Sequence, residues 1–220
     1  MCGLFAGRKS LSLILSSDYH GAQLGGSVSL HPNQNYWSEN VMSLKSFAAD
    51  RPVYIRIENS ESLEERSVIR AVIEAAFGGS EEADLVNRLR GDEHALISLV
   101  AELGASLVGH IMFSRMWINT STGLVSAVAL APVAVHPDHQ RRQIGSQLIL
   151  HGLELLRDRG EKLVIVVGHP DYYPRFGFST EKAKSLESPF PQEAFMAMEL
   201  SVGALDGIQG SVVYPPAFGI

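Results

Sequence analysis

The segment from Gly123 to Gly168 constrains the fold of this chain more than any other part of the sequence. It begins with an apolar run, GLVSAVALAPVAV, that predicts a strand. A helix follows, and Gly160 is placed to end it. The next run, KLVIVVG, is apolar without interruption, which is typical of an interior strand buried on both faces. A strand, a helix and a strand in this order predict a right-handed crossover unit and therefore an α/β fold. The apolar side of the helix is formed by Ile144, Leu148, Gly152, Leu155 and Leu156.

Shorter segments extend this pattern in both directions. VYIRIE, which begins at Val53, alternates as a strand does. We expect Asn59 or Ser60 to cap a helix that ends at Gly78, and Ser80 to begin a second helix. HALISLVAEL and SLVGHIMFSRMWI flank a glycine, which predicts a hairpin. AFMAMEL and GSVVYPPAF predict two further strands near the C-terminus.

The composition excludes several classes of protein. Of the 220 residues 45% are hydrophobic, enough for a packed core, and a formal net charge of -6 argues against a general nucleic-acid binder. The single cysteine, Cys2, permits no disulfide within the chain, so we expect a reducing, cytoplasmic environment. No apolar run approaches the length of a membrane-spanning helix.

The first part of the chain differs from the rest. It is rich in Ser, Gly, Asn and Gln, and neither a helical nor a strand period is present. We therefore expect residues 1–52 to form a low-order N-terminal extension and residues 53–220 to form a single working domain.

The start of the helix that follows Val135 is suited to bind an anion. The first turn of a helix exposes unpaired N–H groups and carries a partial positive charge. Gly145 lets a ligand approach the backbone closely, and Arg141 and Arg142 add forked donors that match phosphate oxygens. The two common nucleotide loops, G-x-x-x-x-G-K-[ST] and G-x-G-x-x-G, are missing. These residues alone fit both a pyrophosphate site and a pair of solvated arginines.

Two motifs carry a resemblance to a known family. VAVHPDHQRRQIGSQLI resembles the acetyl-CoA signature of the GCN5-related N-acetyltransferases (GNAT), Gln/Arg-x-x-Gly-x-Gly/Ala, with Gln140 first and Gly145 last. Gln143 replaces the middle glycine, and it would be strained if that position requires a positive φ. HPDYYPRFGFS resembles the aromatic segment that precedes a Gly-Phe pair in this family. The resemblance runs from about Val53 to the C-terminus and is nearest to the bacterial YhbS-like branch.

The resemblance implies a fold and a set of site residues. The expected fold is one α/β (α+β) domain with a mixed, mostly antiparallel central sheet flanked by helices. A strand backbone would pair with the pantetheine arm of acetyl-CoA, the following helix start would wrap its pyrophosphate, and Tyr173 would match the tyrosine that acts as general acid. In order along the chain, the implied binding residues are Val133, Ala134, Val135, Arg141, Arg142, Gln143, Ile144, Gly145 and Ser146.

Acetyl transfer from a thioester to an amine makes three demands on the protein. The amine must lose a proton, the carbonyl oxygen needs a hydrogen-bond donor as it gains charge, and the departing thiolate needs a proton. Pro132 cannot donate to a strand ladder, so pairing should be interrupted there and the N–H of Val133 is our candidate donor. Tyr173 is the candidate acid, with Tyr172 as the alternative if the register slips by one. A packing role for Tyr173, with its hydroxyl at the surface, is the competing interpretation.

The general base is not assigned by the sequence. The strand before the signature contains no acidic residue, although some family members place a glutamate there. The remaining candidates are acidic or imidazole side chains that are more often solvated or structural. They are Glu81, Glu82, Glu102, His110, His136 and His169.

The leading hypothesis is an acetyl-CoA-dependent N-acetyltransferase that uses no metal. It would move the acetyl group to a primary amine by direct attack in a ternary complex. Its partner would be a small-molecule or peptide amine, with no nucleic acid or membrane involved and a homodimer allowed. A non-catalytic acyl-CoA-binding or sensing module is the alternative, and a nucleotide-binding regulator is a third hypothesis that lacks its own motif.

Overall fold

The computed structural model describes residues 52–220. The expected N-terminal extension lies almost wholly outside the described residues, so that expectation and the boundary at residue 53 stay predictions.

An eight-stranded sheet forms the centre of the described chain. The strands are β1 (Val53–Ile57), β2 (Ala95–Leu103), β3 (Ser106–Thr120), β4 (Gly123–Val135), β5 (Leu163–Val167), β6 (Leu186–Glu187), β7 (Phe195–Glu199) and β8 (Gly210–Val213). Their order is β1-β2-β3-β4-β5-β7, with β8 paired to both β3 and β6. Neighbouring strands are antiparallel except for the pairs β4–β5 and β6–β8. This confirms the mixed, mostly antiparallel sheet, the hairpin and the interior position of KLVIVVG.

Helices cover both faces of the sheet. Helices α1 (Leu63–Phe77) and α2 (Glu81–Gly91) lie on one face, and α3 (Ile144–Asp158) lies on the other. On the α1 face, Ile69, Val72 and Ile73 pack with the same core as Val100, Met112 and Met116. On the α3 face, Leu148, Ile149 and Leu153 pack with the same core as Leu99, Ile111 and Phe113. Apolar side chains of successive strand residues therefore alternate between two cores.

Two of the predicted boundaries are wrong. The N-cap of α1 is Ser62, whose Oγ accepts the N–H of Glu65 at 3.1 Å, and not Asn59 or Ser60. Asn59 instead accepts the N–H of Glu61 in the preceding turn. The segment GSVVYPPAF is a strand only as far as Val213, because its two prolines cannot donate to a ladder, and it continues as a short 3₁₀ helix, Pro216–Phe218.

The parallel strands β4 and β5 separate soon after they meet. They pair only at Val128 with Val164 and at Ala129 with Ile165, although β4 continues to Val135. On its other side β4 stays paired with β3, except for a register shift between Ile111 and Phe113 that is centred on Pro132. The predicted interruption at this proline is confirmed. The carboxyl-terminal half of β4 therefore borders a gap in the sheet.

Gly152 on α3 sets how closely that helix approaches the sheet. A Cβ at this position would overlap the ring of Phe113, whereas a Cβ at Gly91 would have nothing within 4 Å. We expect Gly152→Ala to lower the free energy of unfolding by about 1–3 kcal/mol, the usual cost of overpacking a core. Gly91→Ala is the matched control, because it adds the same methyl group at a helix end with room for it. Urea titrations that give equal midpoints for the two variants would contradict this packing.

Candidate functional site

The start of α3 has the local geometry of an anion site. Gln143, the N-cap, has a φ of 62° and Arg141 has a φ of 60°, so two residues other than glycine occupy the left-handed region. This confirms that the position of the replaced glycine requires a positive φ. The side chain of Gln143 makes no capping hydrogen bond, and the first helical bond is from the N–H of Gln147 to the carbonyl of Gln143. The N–H groups of the first turn therefore lack the side-chain cap that most helices carry.

Electrostatics at this helix start also favour an anion. The first turn of α3 contains no acidic residue, and the side chains of Arg141 and Arg142 are exposed just before it. Cations are unfavourable beside the positive end of a helix dipole, where anions are favourable. A bound phosphate would reverse this disadvantage, since both guanidinium groups and the helix end would then face negative charge.

The carboxyl-terminal half of β4 presents backbone groups to the gap. The N–H of His136 donates to the carbonyl of Val108 on β3 at 2.9 Å. Because backbone groups alternate in direction along an antiparallel pair, those of Ala134 also face β3, and those of Val133 and Val135 face the gap. The side chain of Gln140 donates to the carbonyl of Val135 at 3.0 Å, which agrees with this alternation. The structure therefore separates the three strand residues, with two directed at the gap and one away from it.

The segment after β5 places two tyrosines at the same edge of the sheet. The carboxyl ends of the parallel strands β4 and β5 lie at one edge, and Tyr172 and Tyr173 lie in the short segment after β5. Tyr172 is buried, and its hydroxyl lies 3.4 Å from Oγ of Ser146 on the first turn of α3. The guanidinium of Arg175 lies 4.2 Å from the centre of the Tyr172 ring. Tyr172 therefore connects the end of β5 to the helix start.

Tyr173 is fully buried, against the interpretation that its hydroxyl lies at the surface. Its ring packs over Gly168, where a Cβ would overlap it, and edge-on against Phe178 at 5.6 Å between centroids. Its hydroxyl has no hydrogen-bond partner among the described residues. Burial, and to a smaller extent Tyr172, raise the pKa of the phenol far above its ordinary 10.0, so Tyr173 stays protonated at every working pH. An unpartnered buried donor is costly, which makes Tyr173 a candidate to meet a ligand atom.

Most of the candidate bases lie elsewhere or already have partners. Glu102 on β2 is bound at 2.7 Å to Arg56, which also pairs with Glu65 at 2.8 Å. Glu81 and His169 are exposed. The partly buried candidates are Glu82 at the start of α2 and His136 just after β4, whose Nδ1 accepts the N–H of Asp138.

His110 on β3 differs from the other candidate bases because it is fully buried. It belongs to a buried polar network that sequence reasoning missed. Its Nε2 lies 2.8 Å from Oγ of Ser98 on β2 and 3.4 Å from a carboxylate oxygen of Glu58, which directly follows β1. Ser98 donates to the same carboxylate oxygen at 2.5 Å, and Arg90 on α2 binds both oxygens of Glu58 at 2.7 and 2.8 Å. All four side chains are at least nine-tenths enclosed, and His110 is fully buried.

The network sets the charges of its members. Burial pushes the pKa of Glu58 upward, but hydrogen bonds with His110, Arg90 and Ser98 outweigh it and hold the pKa well below 4.5. Burial lowers the pKa of His110 below its ordinary 6.5, Glu58 opposes this in part, and Arg90 adds to it. At neutral pH the network therefore holds an ionised Glu58, an ionised Arg90 and a neutral His110.

These pKa shifts predict how stability depends on pH. Below 6.5 the unfolded chain protonates His110 while the folded chain resists protonation, so the free energy of unfolding falls as pH falls. One such group costs about 1.4 kcal/mol for each pH unit in this window. Glu58 acts in the same direction below 4.5, because the folded chain keeps it ionised after the unfolded chain protonates it.

We expect His110→Gln to flatten the decline in unfolding free energy between about pH 6.5 and about pH 5, as measured by urea titration. His169→Gln, at an exposed position, serves as the control and should keep the wild-type slope. An unchanged slope in His110→Gln would mean that the folded protein protonates His110 as readily as the unfolded chain does.

Two absences hold for the part of the chain that the structure describes. Within residues 52–220, no group of three or more histidine, cysteine, aspartate or glutamate side chains is arranged to hold a metal ion. No helix in this range is both long enough and apolar enough to cross a membrane.

Comparisons with known proteins agree with this geometry. The family model described as an acetyltransferase (GNAT) domain matches residues 57–180. The uncharacterized N-acetyltransferase YjhQ of Escherichia coli strain K12 is 42% identical over 132 residues, covering 58% of this chain and 73% of YjhQ. The uncharacterized N-acetyltransferase YhbS of the same strain is 31% identical over 153 residues, covering 68% of this chain and 90% of YhbS.

Solved structures share the fold. The crystal structure of YhbS from Escherichia coli in complex with CoA has a TM-score of 0.69 at 29% identity, and the match covers 76% of this chain and 92% of YhbS. A GNAT family acetyltransferase from Brucella melitensis in complex with acetyl-CoA has a TM-score of 0.63 at 32% identity, and the match covers 76% of this chain and 99% of that protein. From the family match, the relatives and the shared fold, this chain belongs to the GNAT family of acetyltransferases.

Proposed function

We propose that this protein transfers the acetyl group of acetyl-CoA to a primary amine by direct attack in a ternary complex. The observation that carries the proposal is the gap between β4 and β5. The backbone of Val133, the start of α3 and the Tyr172–Tyr173 segment all lie at the carboxyl ends of these two strands. Such an edge is where ligands commonly bind in α/β sheets.

The residues at this edge fit acetyl-CoA. Its pyrophosphate would lie at the N–H groups of Ile144, Gly145 and Ser146, with the guanidinium groups of Arg141 and Arg142 beside it. The pantetheine arm would run through the gap, where the backbone groups of Val133 and Val135 can pair with it as another strand would. The CoA complex of YhbS and the acetyl-CoA complex of the Brucella melitensis protein support this assignment.

Acetyl-CoA supplies an activated acyl group, and two groups of the chain would act on the reaction. The N–H of Val133 would donate to the thioester carbonyl oxygen as it gains negative charge, and removal of such a donor in other enzymes costs about 10²–10³ in rate. The hydroxyl of Tyr173 would donate to the departing sulfur. Because this phenol is protonated throughout the working pH range, the donor is always present.

We expect Tyr173→Phe to lower kcat by about 10²-fold or more, the lower end of the range for a positioned acid. Acetyl-CoA affinity should barely change, because the ring still packs on Gly168. The loss should shrink at higher pH, where a thiolate leaves more easily without help. Thiol release with a panel of primary amines measures kcat, and calorimetry measures affinity.

Tyr172→Phe is the matched control, because it removes the neighbouring buried hydroxyl, whose contact is with Ser146. If only Tyr172→Phe loses kcat, the acid is one residue earlier in the chain. If Tyr173→Phe has intact kcat at every pH, Tyr173 only packs. Acetyl-CoA binding without turnover of any amine in the wild-type protein would favour the non-catalytic acyl-CoA-binding module instead.

We expect Gly145→Pro to abolish acetyl-CoA binding in calorimetry, since proline removes one N–H donor and blocks close approach to the helix start. Arg142→Ala should weaken binding less. Gln143→Gly is the sharper control, because it keeps the N–H and suits the positive φ, and it should bind at least as tightly as wild type. Circular dichroism checks that each variant folds. Unchanged affinity in folded Gly145→Pro would exclude α3 as the pyrophosphate site.

A further inference from the structure

The buried network around His110 contains a base with a defined tautomer. Ser98 has a single hydroxyl proton, and the 2.5 Å contact with the ionised Glu58 assigns that proton to the carboxylate. The other contact of Ser98, at 2.8 Å, must then be a hydrogen bond donated by Nε2 of His110. In a neutral imidazole only one nitrogen carries a proton, so Nδ1 holds a lone pair. That nitrogen has no hydrogen-bond partner among the described residues.

The strand order places β4, which borders the gap, next to the strand that carries His110. Nε2 faces Ser98 on β2 and Glu58 after β1. The two nitrogens of an imidazole point to different sides of the ring, so Nδ1 is directed away from this pair. The residue of β4 directly across from His110 is Ala134, whose neighbour in the chain is Val133.

His110 and Tyr173 lie on opposite faces of the sheet. Ala134, across from His110, belongs to the core on the α1 face, and Tyr173 belongs to the core on the α3 face. Acyl transfer needs this separation, because the base acts on the incoming amine while the acid acts on the leaving sulfur. The arrangement resembles other catalytic sets in which a buried carboxylate fixes the tautomer of a histidine.

We propose that His110 is the general base, with Nδ1 accepting the proton of the amine through a water relay while Ser98 and Glu58 hold the ring in the Nε2-protonated form. This inference rests on the proposed function. The acceptor enters as a neutral amine, and its nitrogen forms a bond to the acetyl carbon. The carbon–sulfur bond breaks, and its electron pair goes to the sulfur, which leaves as a thiolate. The amine proton passes to Nδ1, and the hydroxyl of Tyr173 stabilises the departing thiolate by donating a hydrogen bond to it. The imidazolium proton then reaches the sulfur through solvent, so that His110 is restored and the thiol is released.

The environment of His110 suits a base that works at neutral pH. The charged groups that act on it are Glu58 after β1 and Arg90 on α2, while β2 and β4 contribute Ser98 and Ala134, which do not titrate. The neutral ring is ready to accept a proton, and Glu58 stabilises the imidazolium that forms. Ser98 and Glu58 are positioning residues, because they act through His110.

The first test uses the free protein and needs no turnover. Nitrogen-15 NMR of histidine-labelled wild-type protein at about pH 7 should show His110 as a neutral ring with a protonated Nε2 and an unprotonated Nδ1. Ser98→Ala should shift this resonance toward a mixture of tautomers, because the group that assigns the proton is lost. A protonated Nδ1 in the wild-type protein would overturn the proposal.

The second test measures turnover with a polyamine, free amino acids and a peptide with an unblocked N-terminus. His110→Gln should lower kcat/KM for the amine by about 10²-fold or more and should remove the acidic limb of the pH profile, with acetyl-CoA affinity unchanged. Ser98→Ala should lower kcat/KM less and shift that limb, and His151→Gln, in the middle of α3, should change neither. The Ser98 variant keeps the test valid if His110→Gln does not fold.

The outcomes separate the two proposals. Turnover by wild-type protein together with an unchanged pH profile in folded His110→Gln and Ser98→Ala would overturn the role of His110 and leave the proposed function standing. Absence of thiol release from the wild-type protein with every amine, despite acetyl-CoA binding, would overturn the proposed function and the role of His110 with it.

Discussion

The early end of the pairing between β4 and β5 is the constraint on which the site depends. Two parallel strands that continue side by side would satisfy each other's backbone groups and leave nothing for a ligand. Here β4 and β5 pair at two positions only. After the register shift at Pro132, the rest of β4 stays paired with β3 and not with β5. Backbone groups of Val133 and Val135 are then directed into a gap, where an extended ligand can replace the missing strand.

The two faces of the sheet beside this gap differ in chemistry. The α3 face is apolar and supplies a buried tyrosine hydroxyl without a partner. The α1 face contains a buried ion pair, Arg90 with Glu58, extended through Ser98 to His110. Buried charges are expensive, and apolar residues of similar size often give equal or greater stability. The proposed role of His110 as a base would give this network, which fixes one tautomer and leaves one lone pair, a functional reason to be kept.

Much of the fold follows from the sequence because its signals are local. The strand at Gly123–Val135 has the bounds that its apolar run predicts, and the uninterrupted run of β5 lies between two neighbours as expected. The predicted cap of α1 was wrong because Asn59, Ser60 and Ser62 are all suitable cap residues. Only the geometry of the turn selects Ser62. The predicted strand GSVVYPPAF was partly wrong because its paired prolines end β8 early.

The candidate site also contains features that local signals predict and features that they do not. The helix start and the tyrosine pair were predictable, since each lies within one short motif. The network of Glu58, Arg90, Ser98 and His110 was not predictable, because its members come from four separate elements and each alone is more often solvated or structural. Alternation along β2 puts Ser98 on the face of Val100, but only the strand register brings it beside His110. The complete burial of Tyr173 was not predictable, because it depends on Gly168 and on packing that no local pattern specifies.

The start of α3 carries backbone strain. Left-handed conformations at Arg141 and Gln143 cost on the order of 1 kcal/mol each for residues other than glycine, and two arginines lie near the positive end of α3. If this turn binds pyrophosphate as proposed, the phosphate would accept its N–H groups and pair with the guanidinium groups. The turn is already formed, so its backbone would need little further ordering to bind. Ligand binding and stability would then be linked at this turn, and a glycine in place of Gln143 would remove part of the strain.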